Sequence, residues 1–170
     1  GAIATVRQIT GSRTVNMLGF CVGGTLLACA LAVLAARRDR SVASVTLLTT
    51  MLDFADPGDI GVYVSREMLA ARKSALMEGK RMQGSELAGA FASLRANELV
   101  WSYVVSNYLK GETPPAFDLL YWNGDSSNLP GPMCAYYLEM MYLDNKLRER
   151  GALTMAGESV DLARVTVPAY

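Results

Sequence analysis

One short motif contains the residue types needed for covalent catalysis. Cys21 lies between Gly19 and Gly23 in the pattern G-x-C-x-G, and Gly24 follows directly. A cysteine in this pattern is typical of a nucleophile elbow, a sharp turn from a strand into a helix that lifts a reactive side chain above a sheet. Small residues are needed around it because the strand and helix backbones come very close there. We therefore predict that Cys21 is a nucleophile and that the three glycines shape its turn.

The backbone amide of Val22 is the second group with a predicted chemical role. Val22 follows Cys21 and would be the first residue of the helix. Amide groups at a helix N-terminus have no partner within the helix, and the helix dipole favours negative charge near them. Such an amide can stabilise the oxyanion that forms when a nucleophile attacks a carbonyl group. The position of Val22 therefore predicts an oxyanion-hole donor.

The other two cysteines, Cys29 and Cys134, have no such context. Cys29 lies within an all-apolar stretch, and no two of the three cysteines form a C-x-x-C pair. Most free cysteines are small buried apolar side chains, and that is our prediction for these two. Three cysteines without metal-ligand spacing also argue against a zinc site or a disulfide framework. They favour a reducing compartment such as the cytoplasm.

The sequence around the motif predicts an α/β fold. Residues 2–9 have the apolar spacing of a helix, and residues 14–18 have the pattern of a short strand. Residues 22–36 are rich in Ala and Leu on nearly every face, which is typical of a buried helix. Residues 42–50 are β-branched and almost continuously apolar, which is typical of a buried parallel strand. The elbow would lie where the first strand leads into the buried helix.

A different organisation is predicted after residue 52. Three segments have helical patterns: residues 65–77, 85–111 and 132–148. Pro114-Pro115 interrupts them, residues 118–132 predict a long loop, and residues 165–170 have the pattern of an opening strand. Such a stretch is too long for a normal crossover between strands. We therefore predict a partial core over residues 1–52, a helical lid inserted over residues 53–150, and a return to the core over residues 151–170.

The composition limits the classes of function. The chain has 170 residues, is 51% hydrophobic, and contains 16 Lys and Arg, 16 Asp and Glu, and no His. The hydrophobic content suffices for a buried core. A zero net charge without a basic block argues against nucleic-acid binding. Without His, the chain cannot complete a His-containing catalytic triad or a His-ligated metal site by itself.

A membrane helix is the alternative interpretation of the motif region. Residues 14–36 carry no charge and are followed by Arg37-Arg38-Asp39-Arg40, and Gly19-x-x-x-Gly23 matches a helix-packing motif of membrane spans. The chain would then be a membrane-anchored interaction module. Asn16, the Gly23-Gly24 pair and the strand that follows so soon favour the elbow instead.

The sequence closely resembles the polyhydroxyalkanoate (poly-3-hydroxybutyrate) synthases along almost its whole length. Four segments carry the resemblance: VNMLGFCVGGTLLACALAVLAAR, SVTLLTTMLDFADPGDIGV, GSELAGAFASLRANELVW and PAFDLLYWNGDSSNLPGPM. Phe20 and Val22 beside the cysteine resemble the class I branch, which prefers short-chain monomers. The resemblance implies an α/β-hydrolase fold with a helical lid, and an acyltransferase that polymerises (R)-3-hydroxyacyl-CoA and releases CoA.

The resemblance also implies roles for individual residues and partners. Cys21 would be the nucleophile that carries the growing polyester, and the Val22 amide would be an oxyanion donor. The CoA thioester is a substrate, and neither a cofactor nor a metal is expected. The family's Asp and His lie on later strands, so we expect an internal fragment that is inactive alone. The whole protein would be a cytoplasmic homodimer, without a membrane span, at the polymer granule.

Two questions stay open at the level of sequence. A thiol-dependent α/β-hydrolase that cleaves esters or thioesters would use the same motif. Tyr121 and Trp122 would face the substrate channel or a dimer partner, or would simply pack inside the lid.

Overall fold

The computed structural model describes residues 1–114, 116 and 118–170 of the chain. Two units are distinguished in it: residues 1–55 with 144–170, and residues 56–143. The assignment of residues 1–52, 53–150 and 151–170 to core, lid and core stays a prediction.

The first unit is built on two parallel strands joined by a helix. Helix α1 spans Ala2–Thr10, strand β1 spans Val15–Phe20, helix α2 spans Val22–Ala36 and strand β2 spans Val42–Leu48. The two strands pair in parallel, from Val15 opposite Val42 to Phe20 opposite Leu48. The predicted helix–strand–helix–strand order is confirmed. Strand β1 runs two residues further than predicted, so that the motif cysteine follows it directly.

The core of this unit lies between α2 and the sheet. Four buried side chains form its centre: Leu27, Leu31, Val42 and Val45. Partly buried apolar residues from α1, both strands and the C-terminal segment pack against these four. Because α2 has apolar residues on almost every face, most of its side chains are buried. The helix is therefore fixed by packing along most of its length.

The last residues of the chain lie beside β2. Ala169 forms a parallel bridge with Val45. The Tyr170 amide donates to the Val45 carbonyl at 3.0 Å, and the Leu47 amide donates to the Tyr170 carbonyl at 2.8 Å. This isolated bridge lies within residues 165–170, where an opening strand stays a prediction.

A small hairpin before this segment was not expected from the sequence. Strands β3, Leu153–Met155, and β4, Glu158–Val160, pair antiparallel. Ala156 and Gly157 connect them, both with positive φ, which is the conformation of a tight two-residue turn. The Arg37 side chain at the end of α2 binds Glu158 Oε1 at 3.1 Å. A 3₁₀ turn, Leu162–Arg164, follows the hairpin.

The second unit is mostly helical. Its α-helices are α3, Arg66–Met77; α4, Gly84–Leu94; α5, Asp118–Gly124; and α6, Gly131–Tyr137. Wider π-helical turns extend two of these helices, at Asn97–Trp101, Val104–Leu109 and Leu138–Leu143, and a 3₁₀ turn at Gly58–Tyr63 precedes α3. Helix α3 begins as predicted, because the Ser65 hydroxyl accepts a hydrogen bond from the Met68 amide at 3.1 Å.

Two expectations for this region are wrong. Residues 118–132 are not one long loop, since α5 occupies Asp118–Gly124 and the Asp118 carboxylate accepts from the Leu119 amide in its first turn. The helix predicted to reach residue 148 ends at Leu143. Asn145 then takes a left-handed conformation that ends the helix, and a 3₁₀ turn spans Lys146–Arg148. The predicted interruption at Pro114-Pro115 includes residue 115, which lies outside the described residues.

The second unit has a core of its own. Leu69 and Leu76 of α3 pack with Ala135 of α6, with Leu138 and Leu143 at the margin. Lys73 of α3 also binds Glu139 through both carboxylate oxygens, at 2.6 and 2.8 Å.

The membrane helix considered as the alternative does not form. Residues 14–36 are divided at Cys21 between β1 and α2. In the part of the chain that the structure describes, every helix is too short or too polar to cross a membrane.

Candidate active site

Cys21 occupies a strained turn between strand and helix. It follows Phe20, the last residue of β1, and precedes Val22, the first residue of α2, with φ 52° and ψ −127°. A positive φ is uncommon for residues other than glycine. Such a conformation costs about 1–3 kcal/mol and persists only where the surrounding structure enforces it. The strand-to-helix turn lies at the position that the motif predicts.

Hydrogen bonds hold the backbone of Cys21 on both sides. Its amide donates to the Leu48 carbonyl at the end of β2, at 2.9 Å. Its carbonyl accepts from the amides of Gly24 at 2.9 Å and Thr25 at 3.3 Å. The turn is therefore fixed by the neighbouring strand and by the first turn of its own helix.

Two of the three motif glycines lie where backbones meet. A Cβ atom on Gly19 would be 2.5 Å from the Gly24 Cα atom, and one on Gly24 would be 1.8 Å from Thr50 Oγ1. Gly23 differs, since a Cβ atom there would meet no described atom within 4 Å. The close approach that we predicted for all three glycines holds for Gly19 and Gly24 and is wrong for Gly23.

The three cysteines differ sharply in accessibility. Cys21 is exposed, whereas Cys29 and Cys134 are only 2% and 4% exposed. Burial raises the pKa of the Cys29 and Cys134 thiols, because a thiolate loses its hydration there. The prediction that Cys29 and Cys134 are buried apolar side chains is confirmed. Cys21 is the cysteine that a substrate can reach.

The Val22 amide is available to a ligand. The amides of Gly24 and Thr25 bind the Cys21 carbonyl, while the Val22 amide has no acceptor among the described residues. It lies in the first turn of α2, where the helix dipole favours negative charge. The role of Val22 as an oxyanion donor stays a prediction.

Exposed apolar side chains surround the elbow. Phe20, Val22 and Leu48 are all among the exposed large apolar residues, together with Leu26 one turn further along α2. Each of the first three is a chain neighbour of Cys21 or bonded to it through the backbone. This surface suits the aliphatic part of an acyl group better than a charged ligand.

Three threonines at the site were not identified from the sequence. The Thr25 hydroxyl, on a residue that is 1% exposed, donates to the Met51 carbonyl at 2.8 Å. Thr49 and Thr50 follow β2, and Thr50 contacts Gly24. Thr25 is a polar residue inside an otherwise apolar helix. This position in the sequence indicates that Thr25 has a special role, but it does not show which group its hydroxyl binds.

Two aspartates of the first unit, Asp53 and Asp161, have structural roles. Asp53 accepts hydrogen bonds from the Asn145 side chain at 2.7 Å and the Ala55 amide at 3.0 Å. The Asn145 bond is the main cause of a lowered Asp53 pKa, and the Ala55 amide adds to it. Asp161 caps a 3₁₀ turn. Both carboxylates therefore accept hydrogen bonds that fix local turns of the first unit.

Comparisons with known proteins identify one fold family and one group of similar enzymes. A family model for the alpha/beta hydrolase fold matches residues 2–166. The poly(3-hydroxyalkanoate) polymerase subunit PhaC of Cupriavidus necator is 53% identical over 174 residues, which cover 99% of this chain and 30% of that protein. The corresponding subunit of Rhizobium meliloti is 44% identical, with 99% and 28% covered.

A more distant relative extends this pattern. Poly(3-hydroxyalkanoate) polymerase 1 of Ectopseudomonas oleovorans is 37% identical, with 99% of this chain and 30% of that protein covered. The chain thus spans about three-tenths of the length of these curated relatives.

Proposed function

Because this chain belongs to the alpha/beta hydrolase fold family, we propose that it is the nucleophile-bearing segment of a poly(3-hydroxyalkanoate) polymerase. The whole protein would be an acyltransferase that joins (R)-3-hydroxyacyl-CoA units into a polyester and releases CoA. The observation that carries the proposal is the exposed Cys21 thiol in a strained turn between β1 and α2. The names of the relatives support the choice of substrate.

The first half of the reaction transfers an acyl group to the protein. A base from outside these residues takes the proton of Cys21, since the chain contains no His. The thiolate attacks the thioester carbonyl of the substrate, and the Val22 amide donates to the oxyanion of the tetrahedral intermediate. The carbon–sulfur bond to CoA then breaks, and CoA leaves as a thiol after taking up the proton.

The second half transfers the acyl group from Cys21 to a hydroxyl. The hydroxyl of another monomer or of the chain end gives its proton to the base and attacks the Cys21 thioester. An ester bond forms and the thiol is restored. Exchange between two thioesters is nearly neutral in energy, so the intermediate retains the driving force for ester formation. Exclusion of water by the predicted lid over residues 53–150 would protect this intermediate from hydrolysis.

The setting of the reaction is part of the proposal. Three unpaired cysteines favour the reducing cytoplasm. We propose a homodimer at the surface of the polymer granule, with no cofactor beyond the CoA thioester substrate. The side chains of Tyr121 and Trp122 are exposed, and we propose that they contact the polyester product or the partner subunit.

Replacement of the thiol tests the proposal directly. Cys21→Ala in the whole protein is expected to abolish covalent labelling by radiolabelled 3-hydroxyacyl-CoA and to stop polymer formation, because no sulfur remains to accept the acyl group. Cys134→Ala is the matched control, since Cys134 is buried, and it should retain the label. Full labelling of Cys21→Ala would remove Cys21 from this role.

The product separates polymerisation from hydrolysis. A polymerase releases CoA while high-mass polyester accumulates, whereas a thiol-dependent hydrolase releases CoA together with free 3-hydroxy acid. Free acid in amounts equal to CoA, without polyester, would refute the polymerase proposal while leaving Cys21 as the nucleophile.

A further inference from the structure

A short segment that begins at the last residue of β2 is attached to the elbow. The segment consists of residues 48–51, and its first carbonyl, that of Leu48, accepts the Cys21 amide at 2.9 Å. In the middle of the segment, Thr50 lies very close to Gly24. A Cβ atom on Gly24 would overlap the Thr50 hydroxyl. The segment therefore contacts both the nucleophile's own backbone and the helix that follows it.

The far end of the segment is held by the Thr25 side chain. Thr25 Oγ1 donates to the Met51 carbonyl at 2.8 Å. Thr25 is 1% exposed and lies within α2, whose other residues are apolar or glycine. A buried hydroxyl is costly without a partner, so the bond to Met51 accounts for the presence of a threonine at this position.

The segment between these two attachments is strained. Thr49 has φ 45°, an unusual value for a β-branched residue. Such a conformation persists only when the surrounding structure fixes it from both sides. Here one side is the Leu48 carbonyl bound to Cys21, and the other is the Met51 carbonyl bound to Thr25. Release of either end would let the segment relax.

We propose that Thr25 is a positioning residue for the Cys21 nucleophile. Its hydroxyl fixes Met51, which keeps the 48–51 segment in its strained form and the Leu48 carbonyl on the Cys21 amide. That bond in turn holds the backbone of Cys21 in the conformation that presents the thiol. The inference rests on the proposed role of Cys21 and adds a residue that acts on it through the backbone.

Two substitutions of Thr25 in the whole protein test the inference. Thr25→Val keeps the shape and removes the hydroxyl. This variant should lower kcat for polymerisation about tenfold and change KM less than about twofold. A tenfold loss of rate corresponds to about 1.4 kcal/mol, which is the size of one typical hydrogen bond. Thr25→Ser keeps the hydroxyl and should restore most of kcat. The alkylation rate of Cys21 by iodoacetamide should fall in Thr25→Val and recover in Thr25→Ser.

Ser41→Ala is the matched control. Ser41 also has a buried hydroxyl in the first unit, but that hydroxyl has no hydrogen-bond partner in the described part of the chain. Its removal should leave kcat and Cys21 alkylation at wild-type values. An equal loss in Ser41→Ala and Thr25→Val would mean that any buried hydroxyl of this unit matters, and it would overturn the inference.

The remaining outcomes are also decisive. Wild-type kcat and alkylation in Thr25→Val would overturn the inference while leaving the proposed function intact, since that function is tested separately by Cys21→Ala and by the products formed. If Thr25→Val does not fold, Thr50→Ala loosens the same segment from the Gly24 side. It should lower kcat at nearly constant KM, and an unchanged kcat would overturn the inference.

Discussion

At the scale of single residues, the motif glycines differ in how much space surrounds them. Gly24→Ala would drive a methyl group into Thr50, whose hydroxyl lies 1.8 Å from that position. Because Thr50 belongs to a strained and anchored segment, we expect destabilisation of about 1–3 kcal/mol. Gly23→Ala meets no described atom and should leave stability unchanged or slightly raised, since Ala favours helix.

Urea unfolding of the whole protein, followed by circular dichroism, checks this pair. The two variants add the same methyl group one residue apart. Equal losses of unfolding free energy would show that the space beside Gly23 is not open in the protein.

The sequence was sufficient to predict the strand-to-helix turn at Cys21 but not the side chains that pack against it. Cys21 and Gly19 could be predicted because the motif places all of its chemistry within six consecutive positions. The partners of Thr25 and Thr50 could not, because each contact joins parts of the chain about 25 residues apart. Such contacts depend on how β2 and α2 pack, which no local pattern records.

At the scale of elements, the sequence predicted the long, strongly patterned ones. Helix α2 and strand β2 have continuous apolar runs, and both were found. The hairpin of β3 and β4 was missed because strands of three residues are too short to show alternation. Helix α5 was missed because its C-terminal end merges with the turn-rich residues 123–128.

The contact between the end of β2 and the residues before β3 predicts a pH dependence of stability. The Asn145 side chain lowers the pKa of Asp53 below its usual value of 3.8, with help from the Ala55 amide. The folded state thus favours the ionised carboxylate. This contribution is present at neutral pH and is lost as the pH falls below that value towards the lowered pKa.

Asp53→Asn measures this contribution. The variant should be less stable than wild type at about pH 6, and the difference should shrink at about pH 3, because the unfolded carboxylate takes up its proton below the usual value of 3.8. Urea unfolding at both pH values gives the two differences. A constant difference would mean that the ionisation of Asp53 does not stabilise the fold.

At the scale of the whole molecule, each unit has its own core and its own buried thiol. Cys29 lies in α2 of the first unit, and Cys134 lies in α6 of the second. Leu76→Ala removes a buried side chain of the second core and should cost about 2–5 kcal/mol. We expect faster thiol labelling of Cys134 and an unchanged labelling rate of Cys29, because the lost contacts belong to one core.

Mass spectrometry of the labelled peptides in a Cys21→Ala background distinguishes the two sites. A parallel rise at Cys29 and Cys134 would show that the two cores open together.

The position of the nucleophile at the tip of a buried helix has a consequence for any repeating reaction. Cys21 directly precedes α2, whose side chains are mostly buried along its length. Because hydrogen bonds to β2 and α2 fix the backbone of Cys21, its sulfur stays in one place between rounds of synthesis. Under the proposed function, the polyester therefore has to move instead. After each addition the end of the polymer chain leaves Cys21, the next monomer is loaded on the thiol, and the chain is displaced by one unit relative to the fixed sulfur.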